Sequence, residues 1–171
     1  MKIKVCGITN AEQAIQISSL VDYIGFIFHP ESPRYTECSY PSMRAKKTGI
    51  FVNRSAKEVI RTAKLEKLDA IQLHGDEPPE YCAALTQLTV IKSFGIDNSF
   101  DFSKIEAYVP FVDFFLFDTK TSAYGGSGKQ FDWNLLEKYQ LETPFFLSGG
   151  IQPESLHEIL QIQHSKLSGI D

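Results

Sequence analysis

The strongest constraint on this chain is a rhythm that runs its whole length. Short apolar runs, each ended by a glycine or a polar residue, alternate with segments of helical spacing. The runs are Ile3 to Cys6 (IKVC), Tyr23 to Phe28 (YIGFIF), Gly49 to Val52 (GIFV), Ala70 to Leu73 (AIQL), Thr89 to Phe94 (TVIKSF), Phe114 to Phe117 (FFLF) and Pro144 to Leu147 (PFFL). Leu167 to Asp171 begins one more. Between them, Thr9-Asn10-Ala11-Glu12 and Ser55-Ala56-Lys57-Glu58 fit capping boxes, and Ala56, Val59, Ile60 and Ala63 form an i, i+3, i+4, i+7 stripe. Helices are also expected from Pro78-Pro79, with Tyr81, Cys82 and Leu85 inward, through Phe102, Ile105 and Val109, from Phe131-Asp132-Trp133, and from Pro153. Thr36 to Lys47 is the least legible part, and only a short helix around Pro41 to Ala45 is expected there. Apolar runs bounded by turn residues are strands buried on both faces, and their alternation with helices builds βαβ units around a parallel sheet. Seven units and the start of an eighth predict an α/β chain folded as a (β/α)8 TIM barrel. An open doubly wound sheet of about five or six strands would leave units over.

The bulk properties narrow the function classes. A length of 171 residues suits one domain over residues 1–171, large enough for a sizeable core. A net charge of -4 argues against general nucleic-acid binding. No apolar run approaches the roughly 20 residues of a membrane span, and Met1-Lys2-Ile3-Lys4 leads into no signal-peptide core. The three cysteines, Cys6, Cys38 and Cys82, form no C-x-x-C pair and accompany no histidine cluster. That pattern suits a reducing cytoplasm and predicts neither a disulfide framework nor a metal site.

In a (β/α)8 barrel the reactive groups gather at the C-terminal strand ends. Here those positions hold Cys6, His29 to Arg34, Asn53, His74, Lys92, Asp118 and Ser148-Gly149-Gly150. Each has a plain structural alternative. A free cysteine is commonly an inert buried thiol, His74 fits a hydrogen-bonded structural role, and Lys92 sits inside its strand, pointing into the mouth or snorkelling. Gly149-Gly150, between a strand and a helix, lets backbone N–H groups approach an anion, although a simple turn also explains it. Gly125-Gly126-Ser127-Gly128-Lys129 looks like a phosphate loop but fails the G-x-x-x-x-G-K-[ST] spacing, since Ala123 lies five before Gly128 and Gln130 follows Lys129. A cover over the site, with Gly125, Gly126 and Gly128 as its flexible points, fits better.

Several ordered motifs together carry a resemblance. Lys4 to Thr9 (KVCGIT), Gly25 to Phe28 (GFIF) with Ser32 to Tyr35 (SPRY), Gly49 to Asn53 (GIFVN) and Gln72 to Gly75 (QLHG) are similar to the phosphoribosylanthranilate isomerase family. So are Phe117 to Lys120 (FDTK) with the glycine loop, Phe131 to Trp133 (FDW) and Ser148 to Gly150 (SGG). The resemblance implies a cofactor-free Amadori rearrangement in tryptophan biosynthesis, on a small phosphorylated sugar-anthranilate substrate, by a monomer or homodimer. It implies Cys6 as general base, Asp118 as general acid, Arg34 and His74 in substrate binding, and Gly149 and Gly150 on the phosphate. The chemistry suits those types. The acid protonates the ring oxygen, and the base then removes a proton made acidic by the resulting iminium. A thiol of ordinary pKa about 8.5 must be activated for that task. Burial beside Phe115 and Phe117 is expected to keep Asp118 protonated.

The family pattern continues past Asp171 with a phosphate-binding loop and a closing helix. The expectation is therefore a C-terminally incomplete barrel, open between its eighth and first strands, with weak activity. Two alternatives stay open: a non-catalytic barrel that keeps only the ligand pocket, and the related aminoaldose isomerase of histidine biosynthesis. Members of the latter generally carry an aspartate where this chain has Cys6.

Overall fold

The computed structural model describes residues 1–37, 40–120 and 130–171. Eight parallel strands close in sequence order into a barrel: β1 (Lys2–Cys6), β2 (Tyr23–Ile27), β3 (Lys46–Phe51), β4 (Ala70–Leu73), β5 (Thr89–Ile96), β6 (Phe114–Thr119), β7 (Phe145–Leu147) and β8 (Leu167–Ile170). The predicted barrel is present. Around it lie α1 (Ala11–Ile17), α2 (Ala56–Glu66), α3 (Pro79–Ala83) and α4 (Leu156–Gln161). Three further connections, Phe102–Phe111, Trp133–Lys138 and Pro153–Ser155, are 3₁₀ segments, the last running straight into α4. The stripe through Phe102 and Ile105 is inward as expected, but Pro110 lies inside that segment and cannot donate to an α-helical bond.

Local chemistry explains the caps. Ser55 and Glu58 form both bonds of a capping box at the start of α2. The box expected at α1 is replaced by a cap one residue later, where Asn10 Oδ1 accepts the Glu12 N–H at 2.7 Å. The helix expected around Pro41 to Ala45 is absent. Residues 40–45 run in irregular conformation, and β3 begins at Lys46, earlier than its apolar run. Side chains elsewhere hold this connection: Ser18 Oγ accepts the Ala45 N–H, Tyr40 stacks on Phe26, and buried Lys47 donates to the carbonyls of Tyr40 and Glu66. With these bonds made to other elements, the connection needs no helix of its own.

The open seam expected between the last and first strands is also absent. Lys2 pairs with Gly169 and Ile3 with Ile170, so β8 hydrogen-bonds to β1. Gly169 makes this possible. A Cβ there would lie 2.4 Å from the Lys2 carbonyl oxygen and 2.7 Å from the Phe146 ring.

Alternation along each strand divides the side chains into two layers. Tyr23, Ala70, Ile91, Leu116 and Phe146 pack together as the floor of the barrel interior. Their strand neighbours Phe115, Phe117, Phe145 and Leu147 belong to another cluster, with Phe102, Leu136, Tyr139 and Ile159 of the outer shell. Lys92 shares the outward parity of Val90, so it neither enters the barrel mouth nor snorkels. It is 1% exposed and pairs with Glu77 at 3.0 Å, while also donating to the Gly75 carbonyl at 2.6 Å. The other Glu77 oxygen accepts the Asn53 N–H at 2.8 Å. One buried carboxylate thus ties together the chain following β3, β4 and β5.

Breaking such a pair leaves an uncompensated buried charge. We expect Glu77→Leu to lower the unfolding free energy by roughly 3–5 kcal/mol in urea titrations. A loss below about 1 kcal/mol would show that the network is not needed to hold these strand ends.

Candidate active site

A cavity of about 370 Å³ opens at the C-terminal strand ends, and its walls include Cys6, Arg34, His74, Asp118, Gly149 and Gly150. Every described residue that the sequence proposed for catalysis or substrate binding is therefore in one place. His29 and Ser148 line it too. Asn53 and Lys92 do not. Asn53 takes a left-handed backbone (φ 50) and its side-chain oxygen accepts the Asp76 N–H, a loop-fixing role. Gly125, Gly126 and Gly128 lie outside the described residues.

Asp118 projects inward from β6. Its Oδ1 accepts the Thr119 N–H at 2.8 Å, and Oδ2 lies 4.0 Å from His74 Nε2. Burial raises the carboxyl above the usual carboxylate range, and the Thr119 N–H only partly opposes this. The expected cause was wrong in detail. Phe115 and Phe117 point the other way, into the outer shell. The cavity wall itself desolvates the acid.

Gly149 stands against this acid with φ +89, and a Cβ there would come within 2.8 Å of Asp118 Oδ1 and 2.4 Å of Thr119 Oγ1. Gly149, the first of the pair that lines the pocket, is thus required by close packing on β6. Gly7 plays a comparable part for Arg34. At φ +82 it leaves room for the Arg34 side chain, whose Cδ would lie 2.8 Å from any added Cβ. Arg34 itself is set by a loop whose Tyr35 bridges to Ile27 and whose Ser32 Oγ accepts the Arg34 N–H.

His74 is held through Gln72, whose amide nitrogen lies 3.0 Å from His74 Nδ1 and 3.0 Å from Ser93 Oγ. Donation to Nδ1 leaves the imidazole proton on Nε2, facing Asp118. Burial, helped by Lys4 and Lys92, lowers the His74 pKa to about 4, so the ring is neutral near pH 7. Burial likewise pushes the Cys6 thiol up, with Lys4 opposing and Asp171 adding to the rise.

Sequence reasoning missed polar residues at or beside the pocket, among them Lys4, Gln72 and Asp171. Lys4 bonds Asp171 at 2.6 Å beside the pocket, and Gln72 and Asp171 line it. Parity was an available signal. Lys4 precedes Cys6 by two in β1, Gln72 precedes His74 by two, and Asp171 follows β8 as Asp118 ends the apolar run of β6. Gln72 Oε1 and Asp171 Oδ1 are buried with no hydrogen-bond donor among the described residues. Two such acceptors suit a ligand that carries hydroxyl groups.

A larger hollow, 990 Å³, lies between the Trp133–Lys138 segment and α4, with Glu142, His164 and Lys166 on its walls. It contains none of the strand-end residues and sits outside the barrel. Among the described residues, no group of three or more His, Cys, Asp or Glu is placed to hold a metal ion, and no helix is long and apolar enough to cross a membrane.

Comparison with known proteins agrees with this geometry. A family model described as N-(5'phosphoribosyl)anthranilate (PRA) isomerase matches residues 3–171. The chain belongs to that family. An N-(5'-phosphoribosyl)anthranilate isomerase of Parabacteroides distasonis is 42% identical over 182 residues, covering 100% of this chain and 82% of the relative. The phosphoribosyl anthranilate isomerase structure from Thermus thermophilus superimposes with a TM-score of 0.86 at 28% identity, covering 100% of this chain and 86% of that one. A further phosphoribosyl anthranilate isomerase structure, at TM-score 0.78 and 30% identity, covers 100% of this chain and 86% of that one, and holds reduced 1-(o-carboxyphenylamino)-1-deoxyribulose 5-phosphate.

The neutral state of His74 in this PRA isomerase family member has a consequence for stability. A histidine whose folded pKa lies below its unfolded value of about 6.5 contributes stability above pH 6.5 that is lost as the pH falls through the folded pKa. Unfolding free energy should therefore decline between about pH 6.5 and 4, by on the order of 3 kcal/mol at most. His74→Gln should flatten that part of the profile in denaturant titrations across the range. An unchanged slope would mean that His74 is already protonated in the fold.

Proposed function

We propose that this chain catalyses the Amadori rearrangement of N-(5'-phosphoribosyl)anthranilate to 1-(2-carboxyphenylamino)-1-deoxyribulose 5-phosphate in tryptophan biosynthesis, in the cytoplasm and without a cofactor. Family membership supports the reaction. The observation that carries it is that an acid raised by burial and a thiol beside a lysine share one cavity with an arginine and a Gly-Gly turn.

The roles follow from chemistry. Protonated Asp118 gives its proton to the furanose ring oxygen, and the C1'–O bond breaks to leave an iminium conjugated to the aromatic amine. The Cys6 thiolate then removes the C2' proton, which that cation acidifies, giving an enolamine. Proton gain at C1' and loss from the C2' hydroxyl complete the aminoketose, so no net proton is consumed. Each step is a proton transfer at carbon or oxygen, and the substrate supplies its own nitrogen as electron sink.

Arg34 suits the anthranilate carboxylate, because its planar fork bonds a carboxylate through two parallel N–H donors. Gly149 and Gly150 offer backbone without side chains to the phosphate. Neutral His74 carries its Nε2 proton toward Asp118, where it can also meet the substrate without adding charge.

Cys6→Ala and Asp118→Asn should each reduce kcat by about 10² to 10⁴-fold. Binding of the reduced product analogue, measured by calorimetry, should survive in both. Turnover that persists unchanged in either variant sinks that assignment. Arg34→Lys should raise KM about tenfold, the loss of a bidentate contact, with a smaller change in kcat.

A further inference from the structure

Lys4 and Asp171 are charged groups at the site to which the proposed reaction gives no task. Lys4 lies two residues before Cys6 on β1, so both side chains face the barrel interior. Its side chain is fully buried, and its ammonium sits 2.6 Å from Asp171 Oδ2. The ladder explains the meeting. Lys2 faces Gly169 and Ile3 faces Ile170, so Lys4 falls opposite Asp171 in the next position.

Structure alone is a poor reason for this pair. Replacing a buried ion pair by apolar residues of similar size is often neutral or stabilising, and the floor below is already apolar, with Leu116 and Phe146. The pair is also unevenly satisfied. Asp171 keeps Oδ1 buried without a donor among the described residues, whereas the buried Lys4 ammonium, two residues from Cys6 on the same strand face, acts on the thiol through its charge.

We propose that Lys4, aimed by Asp171, is a positioning residue that holds a fixed positive charge against Cys6 and makes its thiolate available for proton abstraction. This rests on the reading of Cys6 as the base. The charged groups around Cys6 are few. Lys4 comes from its own strand, Arg34 from the connection after β2 and Asp171 from the end of β8. Asp118 and neutral His74 stand elsewhere on the same cavity wall. Lys4 and Arg34 favour the thiolate, and Asp171 disfavours it. Without an acceptor at position 171 the lysine would turn away toward solvent, but the side-chain amide of Asp171→Asn still supplies one, so that variant removes the opposing charge and leaves the ammonium in place. The carboxylate therefore fixes the lysine's direction while opposing the charge the lysine stabilises.

That opposition supplies the test. The pH dependence of iodoacetamide alkylation at Cys6, followed by peptide mass spectrometry to separate it from Cys38 and Cys82, reports the thiolate directly and needs no turnover. Lys4→Met should move the midpoint up by about one pH unit or more, and Asp171→Asn should move it down by a similar amount. The acid limb of the kcat/KM profile should follow in the same directions. A residue that merely supports the barrel predicts shifts of one sign, or none, in both variants. Either result overturns the proposal. If Lys4→Met fails to fold, the double variant Lys4→Met/Asp171→Asn, which buries no lone charge, is compared with Asp171→Asn alone. Its midpoint must then lie higher by about one unit, and equality overturns the proposal. Failure of the underlying reading looks different: Cys6→Ala would keep its turnover whatever the alkylation midpoints do.

Discussion

The whole arrangement depends on one short stretch of backbone pairing, the closure of β8 on β1. Two registered pairs, Lys2 with Gly169 and Ile3 with Ile170, turn a curved sheet into a barrel and abolish both of its edges. Closure needs a strand that can approach within hydrogen-bonding distance while Phe146 fills the interior beside it, and Gly169 is the residue without a Cβ at that point. The same ladder then places Lys4 opposite Asp171 and carries Cys6 to the rim. The seam of the fold and one wall of the site are thus a single construction.

The fold was largely legible because a parallel barrel writes itself into sequence as repetition. Each buried strand is a continuous apolar run, each stops at glycine or a polar residue, and those stopping points are where barrels carry chemistry. Cys6, His74, Asp118 and Gly149 could be found by that rule alone. What the rule could not show was direction. Lys92 and Lys4 are both lysines inside apolar strands, yet parity sends one to the outer shell and the other to the interior. Phe115 and Phe117 flank Leu116 in sequence and sit on the opposite side of the sheet from Asp118. A register one residue off exchanges every such assignment. The helix expected near Pro41 failed for another reason. Tyr40, Ser18 and Lys47 come from three separate places to hold that connection, and long-range side-chain bonds leave no periodic trace.

Burial acts on the two proposed proton carriers in opposite senses of usefulness. It raises Asp118, which is wanted, since the acid must arrive protonated. It also raises Cys6, which is unwanted, since the base must arrive as thiolate. A nearby cation cannot correct one without affecting the other: Lys4 and Arg34 lower both. Selectivity has to come from distance and contact. Lys4 shares a strand face with Cys6 two residues away, whereas Asp118, across the barrel on β6, receives only the long-range part of its field and keeps a local N–H from Thr119.

The substrate resolves what remains of this conflict, and in doing so sets the order of events. On the proposed assignments its carboxylate, once seated on Arg34, neutralises the cation that disfavours protonated Asp118, so the acid is strongest in holding its proton when the ring is ready to receive it. Ring opening then removes that proton and places a full positive charge on the iminium nitrogen, beside walls that already desolvate Asp118 and Cys6. In such surroundings a new cation favours a neighbouring anion far more than it would in water. The thiolate of Cys6 is therefore most favoured after the acid has acted, and the C2' proton is most acidic at the same moment. On this mechanism acid must precede base, because the charge created by the first step is the condition for the second.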